Sequence, residues 1–280
     1  MHGMTGAGAN QFIHRSALTA MALILAAGLS GCADTGKPGA PAETITPDTV
    51  MRLADTTRQS GDLAQAVGLY QRAAQLDPKN PNPLLALGSI YAQLQMPKDA
   101  ATAWAAALNL NPKNSEALRG LANAQIQTGD TAGAIRNLQA AQAIQPDWRN
   151  ENSLGVAYDI NGDHAAAQKA YKDGLALDPN NLQLTNNLGL SLALTGNYDQ
   201  AIPLLESSAK DPRSTPRMRQ NLALAYGLSG DDKKAAEVAK QDLDAQGVQE
   251  NLGYYEFLRL LQDRNAIAST LGAHQTDALN

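Results

Sequence analysis

Apolar and small side chains recur along most of the chain at a nearly constant interval. One set of leucines and one set of alanines both show steps of 34, 34, 33, 34 and 34 residues. The leucines are Leu53, Leu87, Leu121, Leu154, Leu188 and Leu222, and the alanines are Ala66, Ala100, Ala134, Ala167, Ala201 and Ala235. A fixed period of about 20–50 residues is typical of repeat architectures. The chain from residue 47 to residue 249 is therefore predicted to be an array of six units.

Each unit carries two amphipathic helical segments. Leu87 and Tyr91 are four residues apart, so they share one face of a first helix. Gly88 and Ala100 are small, which lets the first and second helices approach closely, and Trp104 is predicted to fill the gap between neighbouring units. Glycine occupies the predicted turn in five units, at Gly61, Gly129, Gly162, Gly196 and Gly230, with Gln95 in the remaining one. Prolines close five units at Pro78, Pro112, Pro146, Pro179 and Pro212, because proline cannot continue a helix.

This pattern resembles the tetratricopeptide repeat (TPR) family over roughly residues 47–249. The resemblance implies an all-α superhelical solenoid of helix-turn-helix repeats, with the first helix of each unit lining an inner groove. A one-residue displacement in unit 4 predicts a shortened loop near Asp147 and Trp148. Unit 6 lacks a closing proline, and it has Ala239 at the position where unit 2 has the large residue Trp104. An apolar face at residues 250–263 predicts a capping helix over unit 6, followed by a polar tail at 264–280.

The N-terminal segment favours export and lipid attachment. An apolar run from Ala17 to Gly28 is shorter than the roughly 20 residues that a membrane-spanning helix needs, and it has the length of a signal-peptide core. Cys32 follows Leu-Ser-Gly, which resembles a bacterial lipobox. The resemblance implies that residues 1–31 are a signal peptide and that Cys32 is lipidated. The alternative is an ordinary secretory signal with an incidental cysteine.

Two further features of this segment bear on location. Residues 33–46 are rich in Gly, Pro and Ala, which is typical of a flexible tether between the lipid anchor and the repeats. Ala33 follows the cysteine, and Asp34 comes one residue later. In lipoproteins of bacteria with two membranes, an aspartate directly after the cysteine signals retention at the inner membrane. The order found here favours the periplasmic face of the outer membrane.

The composition and the scarcity of reactive groups argue against several functions. The net charge is −5, so the basic face that nucleic-acid binding needs is not expected. A single cysteine excludes an intramolecular disulfide, and the four histidines form no cluster with metal-ligand spacing. His164, in the turn of unit 4, and His274, in the tail, are expected to be solvated. The sequence therefore predicts a binding protein without catalytic residues, metal or cofactor.

Polar side chains recur two residues before the signature leucines, at positions that the TPR resemblance places on the inner face. These candidate groove residues are Arg119, Asn152, Asn186 and Gln220. Regularly spaced amides can both donate hydrogen bonds to an extended peptide backbone and accept them from it. Together with Arg119, Arg149 and Arg217 add positive charge that can pair with acidic residues or a C-terminal carboxylate. The alternative is that these are merely solvated groove residues.

Two segments carry a more particular resemblance. Residues 210–231 and residues 251–255, NLGYY, together with the lipobox and the six-repeat layout, resemble the TadD family of TPR lipoproteins of tight-adherence (Flp) pilus assembly systems. The most particular part of the longer segment is RQNLALAYGLSGD, at 219–231. That resemblance implies a scaffold that binds an extended segment of a secretin or another Tad component and assists pilus assembly in the manner of a pilotin. The alternatives are an adaptor that regulates an envelope enzyme such as a cell-wall synthase, and a structural scaffold without a peptide ligand.

Overall fold

The computed structural model describes residues 45–261, and all regular secondary structure in that range is helical. The predicted lipobox with Cys32, most of the tether, the last two residues of the predicted capping helix and the tail with His274 lie outside the described residues. Thirteen helices lie within 45–261: α1 (Pro47–Gln59), α2 (Leu63–Leu76), α3 (Asn82–Gln93), α4 (Pro97–Leu110), α5 (Ser115–Thr128), α6 (Thr131–Ile144), α7 (Trp148–Ile160), α8 (His164–Leu177), α9 (Leu182–Leu194), α10 (Tyr198–Lys210), α11 (Pro216–Ser229), α12 (Asp232–Ala239) and α13 (Ala245–Leu260).

The helices pack in chain order, each against its successor, which confirms the predicted all-α TPR superhelix. The first helices of units 2 to 6 (α3, α5, α7, α9 and α11) also contact one another in sequence, so they form one continuous layer. The core follows the same order in overlapping clusters, the largest of which extends from α7 to α13. None of the described helices is both long enough and apolar enough to cross a membrane.

Each turn between the two helices of a unit contains a residue in the left-handed backbone conformation. The sequence has glycine at five of these six positions. The five turn glycines have φ between 80° and 91°, and Gln95, which replaces glycine in unit 2, has φ 60°. Glycine adopts this conformation without the steric cost that a Cβ atom brings. The predicted positions of the turns are thereby confirmed.

Small residues on the first helices make room for the large residues of the second helices. A Cβ atom added to Gly88 would lie 2.5 Å from Trp104 Cδ2, and one added to Gly155 would lie 2.3 Å from the Tyr171 ring. Trp104 and Tyr171 are correspondingly buried. The sequence predicted a close approach of Gly88 to Ala100, whereas the atoms nearest to Gly88 belong to the indole of Trp104.

Units at both ends of the array depart from the pattern. Leu53 is 54% exposed, because no earlier unit within the described residues packs against that side of α1. The α12 helix has only eight residues, and it ends at Ala239, which stands where unit 2 has Trp104. The capping helix α13 begins at Ala245, five residues before the predicted start, because the Asp244 side chain accepts a hydrogen bond from Gly247 N and caps the helix there.

Unit 4 also departs from the regular spacing, as the sequence predicted. The connection between α6 and α7 has three residues, 145–147, whereas the other connections between units 1 to 6 have four or five. The Asp147 side chain accepts a hydrogen bond from Arg149 N and so begins α7 without a longer loop. The shortened loop therefore accounts for the single 33-residue step in the repeat.

Candidate partner-binding groove

The layer of first helices contains two cavities that adjoin each other. The larger has a volume of about 560 Å³ and lies among α5, α7, α9 and the start of α11. The smaller has a volume of about 200 Å³ and lies among α3, α4 and α5. Asn123 on α5 lines both cavities. We refer to the two cavities together as the groove, because they form one track along the inner layer of helices.

Four asparagines are linked by hydrogen bonds across the larger cavity, and we call them the amide chain. Asn221 Nδ2 donates to Asn186 Oδ1 at 3.2 Å, Asn186 Nδ2 donates to Asn187 Oδ1 at 3.3 Å, and Asn187 Nδ2 donates to Asn152 Oδ1 at 2.9 Å. The chain thus joins α11, α9 and α7. Asn152 and Asn186 are only 7% and 4% exposed, so they are buried hydrogen-bonding residues rather than the solvated amides that the sequence analysis allowed as an alternative.

Arg217 is the predicted cation that lies in the larger cavity, near the N-terminus of α11. Desolvation by the surrounding protein lowers the pKa of the Arg217 guanidinium, and Tyr171, where its phenol is ionised, acts in the opposite direction. The guanidinium nevertheless stays charged at neutral pH, because arginine is effectively always protonated in proteins. Arg217 is also an exposed residue, so one end of the cavity carries a positive charge that is still in contact with solvent.

The structure distributes the other predicted site residues differently. Arg119 lines the smaller cavity, and its Nη1 lies 3.3 Å from Asp147 Oδ2 and 3.5 Å from Asn150 Oδ1. Arg149 is exposed, with its guanidinium 4.5 Å from the centre of the Trp148 ring and 3.5 Å from Asp147. Gln220 is exposed and belongs to the lining of neither cavity. The structure therefore brings Asn152, Asn186 and Arg217 together, and it places Arg119 in the adjoining cavity.

A buried carboxylate supports the wall of the larger cavity. Asp159 accepts hydrogen bonds from Ser191 Oγ at 2.7 Å and from Tyr171 Oη at 3.0 Å, and it lies 2.7 Å from His164 Nδ1. Its side chain is 6% exposed. Burial and the negative charge of Asp159 raise the pKa of Tyr171 well above its ordinary value. The prediction that His164 is solvated is wrong, since its side chain is 11% exposed and its Nε2 is buried.

Several groove residues were not predicted from the sequence. Asn187 and Asn221 stand directly before Leu188 and Leu222, so the 34-residue interval carried a signal that could have found them. No comparable signal marks Asp159, whose partner Ser191 lies 32 residues away on the next unit.

Comparison with known proteins places this architecture in a family. A TPR repeat model matches residues 54–95, and a tetratricopeptide repeat model matches residues 85–147 and 153–217, which together make up more than half of the chain. The chain belongs to the tetratricopeptide repeat family, whose members bind protein partners.

Individual relatives are more distant. The chain is 34% identical over 177 residues to cellulose synthase 2 operon protein C of Komagataeibacter xylinus, a match that covers 61% of this chain and spans only 13% of that relative. A crystal structure of the MamA protein is 27% identical and has a TM-score of 0.54, covering 59% of this chain and 90% of MamA. The crystal structure of PilW, described as a widely conserved type IV pilus biogenesis factor, has a TM-score of 0.65 and covers 74% of this chain and 97% of PilW. At 19% identity, the PilW match concerns the fold alone.

Proposed function

We propose that this protein is a lipid-anchored TPR adaptor that holds an extended segment of a partner protein in the groove and assists assembly of the Flp pilus secretion system. The observation that carries the proposal is the larger cavity. Three members of the amide chain line it together with Arg217 and the apolar residues Val156 and Leu190; these three are Asn152, Asn186 and Asn187. An extended segment offers alternating N–H and C=O groups and side chains of both kinds, so it complements such a lining.

The amide chain has hydrogen-bonding capacity left for a ligand. Each amide can make about four hydrogen bonds, whereas Asn152, which lines the cavity, takes part in one within the chain of asparagines. Amides recognise the peptide backbone, which is the same for every sequence. Arg217 adds selectivity, because a charge-assisted hydrogen bond to an acidic side chain or a C-terminal carboxylate is roughly twice as strong as a neutral one.

The location and the pilus role rest on the segments that resemble the TadD family. A lipid anchor at Cys32 would confine the groove to the membrane surface and raise its effective concentration toward a secretin in the outer membrane. Residues 219–231, the most particular part of the longer segment, lie in α11 and the turn after it, and α11 also carries Arg217. The shared fold with PilW is compatible with such a role. A segment held in the groove is also kept from pairing edge to edge with other strands.

A second candidate is an adaptor that regulates an envelope enzyme. The match to cellulose synthase 2 operon protein C supports it, because that relative is associated by name with a polysaccharide synthase. The groove serves this role by the same chemistry, so the two candidates differ in the partner and not in the site.

Capture from the solubilised cell envelope tests the proposal. The purified protein should retain the secretin of the pilus system, and Arg217→Gln should weaken that retention. Arg136→Gln is the matched control, because Arg136 is exposed on the second helix α6. Capture of a cell-wall or polysaccharide synthase instead of the secretin would favour the second candidate. Equal capture by the wild type and Arg217→Gln would contradict the role of the groove.

A further inference from the structure

Large apolar side chains are exposed at both ends of the helical array within residues 45–261. At the N-terminal end, Leu53 on α1 is 54% exposed, and Ile45, which precedes the helix, is 72% exposed. At the C-terminal end, Phe257 and Leu260 on α13 are 50% and 72% exposed. Repeat arrays usually need terminal units with a polar outer face to remain soluble. Neither end of this array has such a face.

The leucine that is exposed at the N-terminal end is buried inside the array. Four of the five counterparts of Leu53 in later units are only 4–5% exposed; these are Leu87, Leu154, Leu188 and Leu222. They are covered from the side of the preceding unit. Leu87, for example, shares a core cluster with Tyr70 on the second helix of unit 1. Among residues 45–261, no preceding unit supplies a large side chain of this kind to Leu53.

The outer face of α13 offers such a side chain. The residues of α13 that are buried against the array are Val248, Tyr255 and Leu258. The helical period places Gly253, Phe257 and Leu260 together on the opposite face. A Cβ atom added to Gly253 would meet nothing within 4 Å. Glycine is among the poorest helix formers, but at this place it allows a second helix to come close to the α13 backbone.

Charge favours pairing of α13 with α1 over pairing of α13 with itself. The exposed charged residues of α13 are Glu250 and Glu256, whereas Arg259 is paired with Asp232. Two copies of the α13 face would therefore bring carboxylates together. The α1 helix carries as many cations as anions, and Arg52 is exposed directly before Leu53. An acidic and apolar face on α13 thus complements an apolar face that has a cation beside it.

We propose that the outer face of α13 in one copy of this chain binds the exposed face of α1 in a second copy. Phe257 and Leu260 cover Leu53, as Tyr70 covers Leu87 inside the array. The contact joins two different surfaces, so copies can add head to tail into a closed ring or an open chain. This proposal goes beyond the proposed function, because neither α1 nor α13 lines the groove.

Variants that are each blocked on one face test the contact by sedimentation velocity. Leu53→Asp blocks the α1 face, and Phe257→Asp blocks the α13 face. Both residues are at least half exposed, so the fold should be kept. The full chain carries Cys32→Ser in every sample, so that an acyl chain cannot join copies, and all samples contain the same detergent.

We expect the parent chain to associate increasingly as its concentration rises. Each blocked variant alone should associate at least about tenfold more weakly, because a carboxylate would be buried in the contact. A one-to-one mixture of the two variants should form a complex of two chains that does not grow further, since each copy has one intact face left. A parent chain that does not associate, association that persists in either variant alone, or a mixture without the complex would each overturn the proposal.

Gly253→Ala gives a second readout, which a purely structural role of this residue would not produce. Alanine favours the helix, so the melting temperature should be kept or raised, whereas the added methyl group should weaken association about three- to tenfold. Arg52→Glu should also weaken association, and Arg136→Glu, an exposed position on α6, is its control. Unchanged association in both Gly253→Ala and Arg52→Glu would overturn the pairing of these two faces.

Discussion

Asn187 on α9 donates a hydrogen bond to Asn152 on α7 over 2.9 Å, although the two residues are 35 positions apart in the chain. This bond joins units 4 and 5 on the inner face, where a bound segment would lie. The amides therefore have two roles, since they hold neighbouring repeats together and they present donors and acceptors to the groove.

Asn187→Leu should destabilise the protein by about 1–3 kcal/mol. The substitution keeps the approximate volume but leaves Asn152 Oδ1 and Asn186 Nδ2 without their partner in a buried place. Chemical denaturation followed by circular dichroism measures the change. Asn180→Leu is the control, since Asn180 is exposed in a loop and its replacement should stay within about 0.5 kcal/mol. Equal stability of the two variants would show that the amide chain does not couple the repeats.

Two glycines in helix interiors should respond to alanine in opposite directions. In Gly155→Ala the new methyl group would lie 2.3 Å from the Tyr171 ring, and such overpacking typically costs about 1–3 kcal/mol. In Gly68→Ala the methyl group meets nothing within 4 Å, so the better helix propensity of alanine should raise stability by up to about 1 kcal/mol. Thermal melts of the two variants check the prediction, which a stabilised Gly155→Ala would contradict.

Asp159→Leu should cost more stability than Asp55→Leu. The Asp159 side chain is 6% exposed and accepts hydrogen bonds from Tyr171, Ser191 and His164. Its replacement leaves these donors without their acceptor, so the free energy of unfolding should fall by about 2–4 kcal/mol. The second removes one hydrogen bond from Tyr70 to an exposed residue, which is worth about 0.5–1.5 kcal/mol. Urea unfolding midpoints of the two variants give the comparison, and similar losses would mean that Asp159 has no special structural role.

The attachment of α13 should weaken in acid. Arg259 makes a two-pronged ion pair with Asp232 at 2.6 and 3.0 Å, and its hydrogen bonds lower the pKa of that carboxyl below its ordinary value of 3.8. Because the pKa is lower in the folded state, the pair stabilises the fold above pH 3.8. Its contribution is lost as the pH falls through the folded-state value. An acid-stable protease should then cleave the C-terminal region faster near pH 3 than near pH 5.

Arg259→Gln provides the control for that experiment. Without the guanidinium, the pKa of Asp232 returns toward its ordinary value, and this part of the acid sensitivity should disappear. The ion pair of Arg219 with Asp242 lowers the pKa of Asp242 in the same direction and should persist in this variant. Identical pH profiles for the wild type and Arg259→Gln would show that the pair does not fasten α13.

Cys32→Ser tests the proposed anchor. The substitution removes the thiol that must be acylated, so metabolic labelling with palmitate should be lost and the protein should leave the outer-membrane fraction. Unchanged labelling would show that the lipobox interpretation is wrong. The stability of the repeats should be unaffected, because Cys32 precedes α1 by 15 residues.

Much of the fold could be predicted because its determinants are local and repeated. Glycine at a turn readily adopts a positive φ, and the residue four positions after a leucine lies on the same helical face. Both properties depend only on residues that are close in the sequence. The start of α13 was misplaced although a local signal existed, since Asp244 is a favourable N-cap residue. The 33-residue step likewise predicted the short loop before Trp148.

The sequence by itself determined the TPR repeat, its helices and turns, and a polar row that includes Asn152 and Asn186 on the first helices. Only the tertiary structure decided that these amides are buried and bonded to Asn187 and Asn221, and that Arg217 lines the cavity while Arg149 and Gln220 lie outside it. The physical reason is distance along the chain. Turns and helical faces follow from contacts within a few residues, whereas the hydrogen bonds of the groove join side chains on different units, and their partners depend on how neighbouring units are rotated against each other.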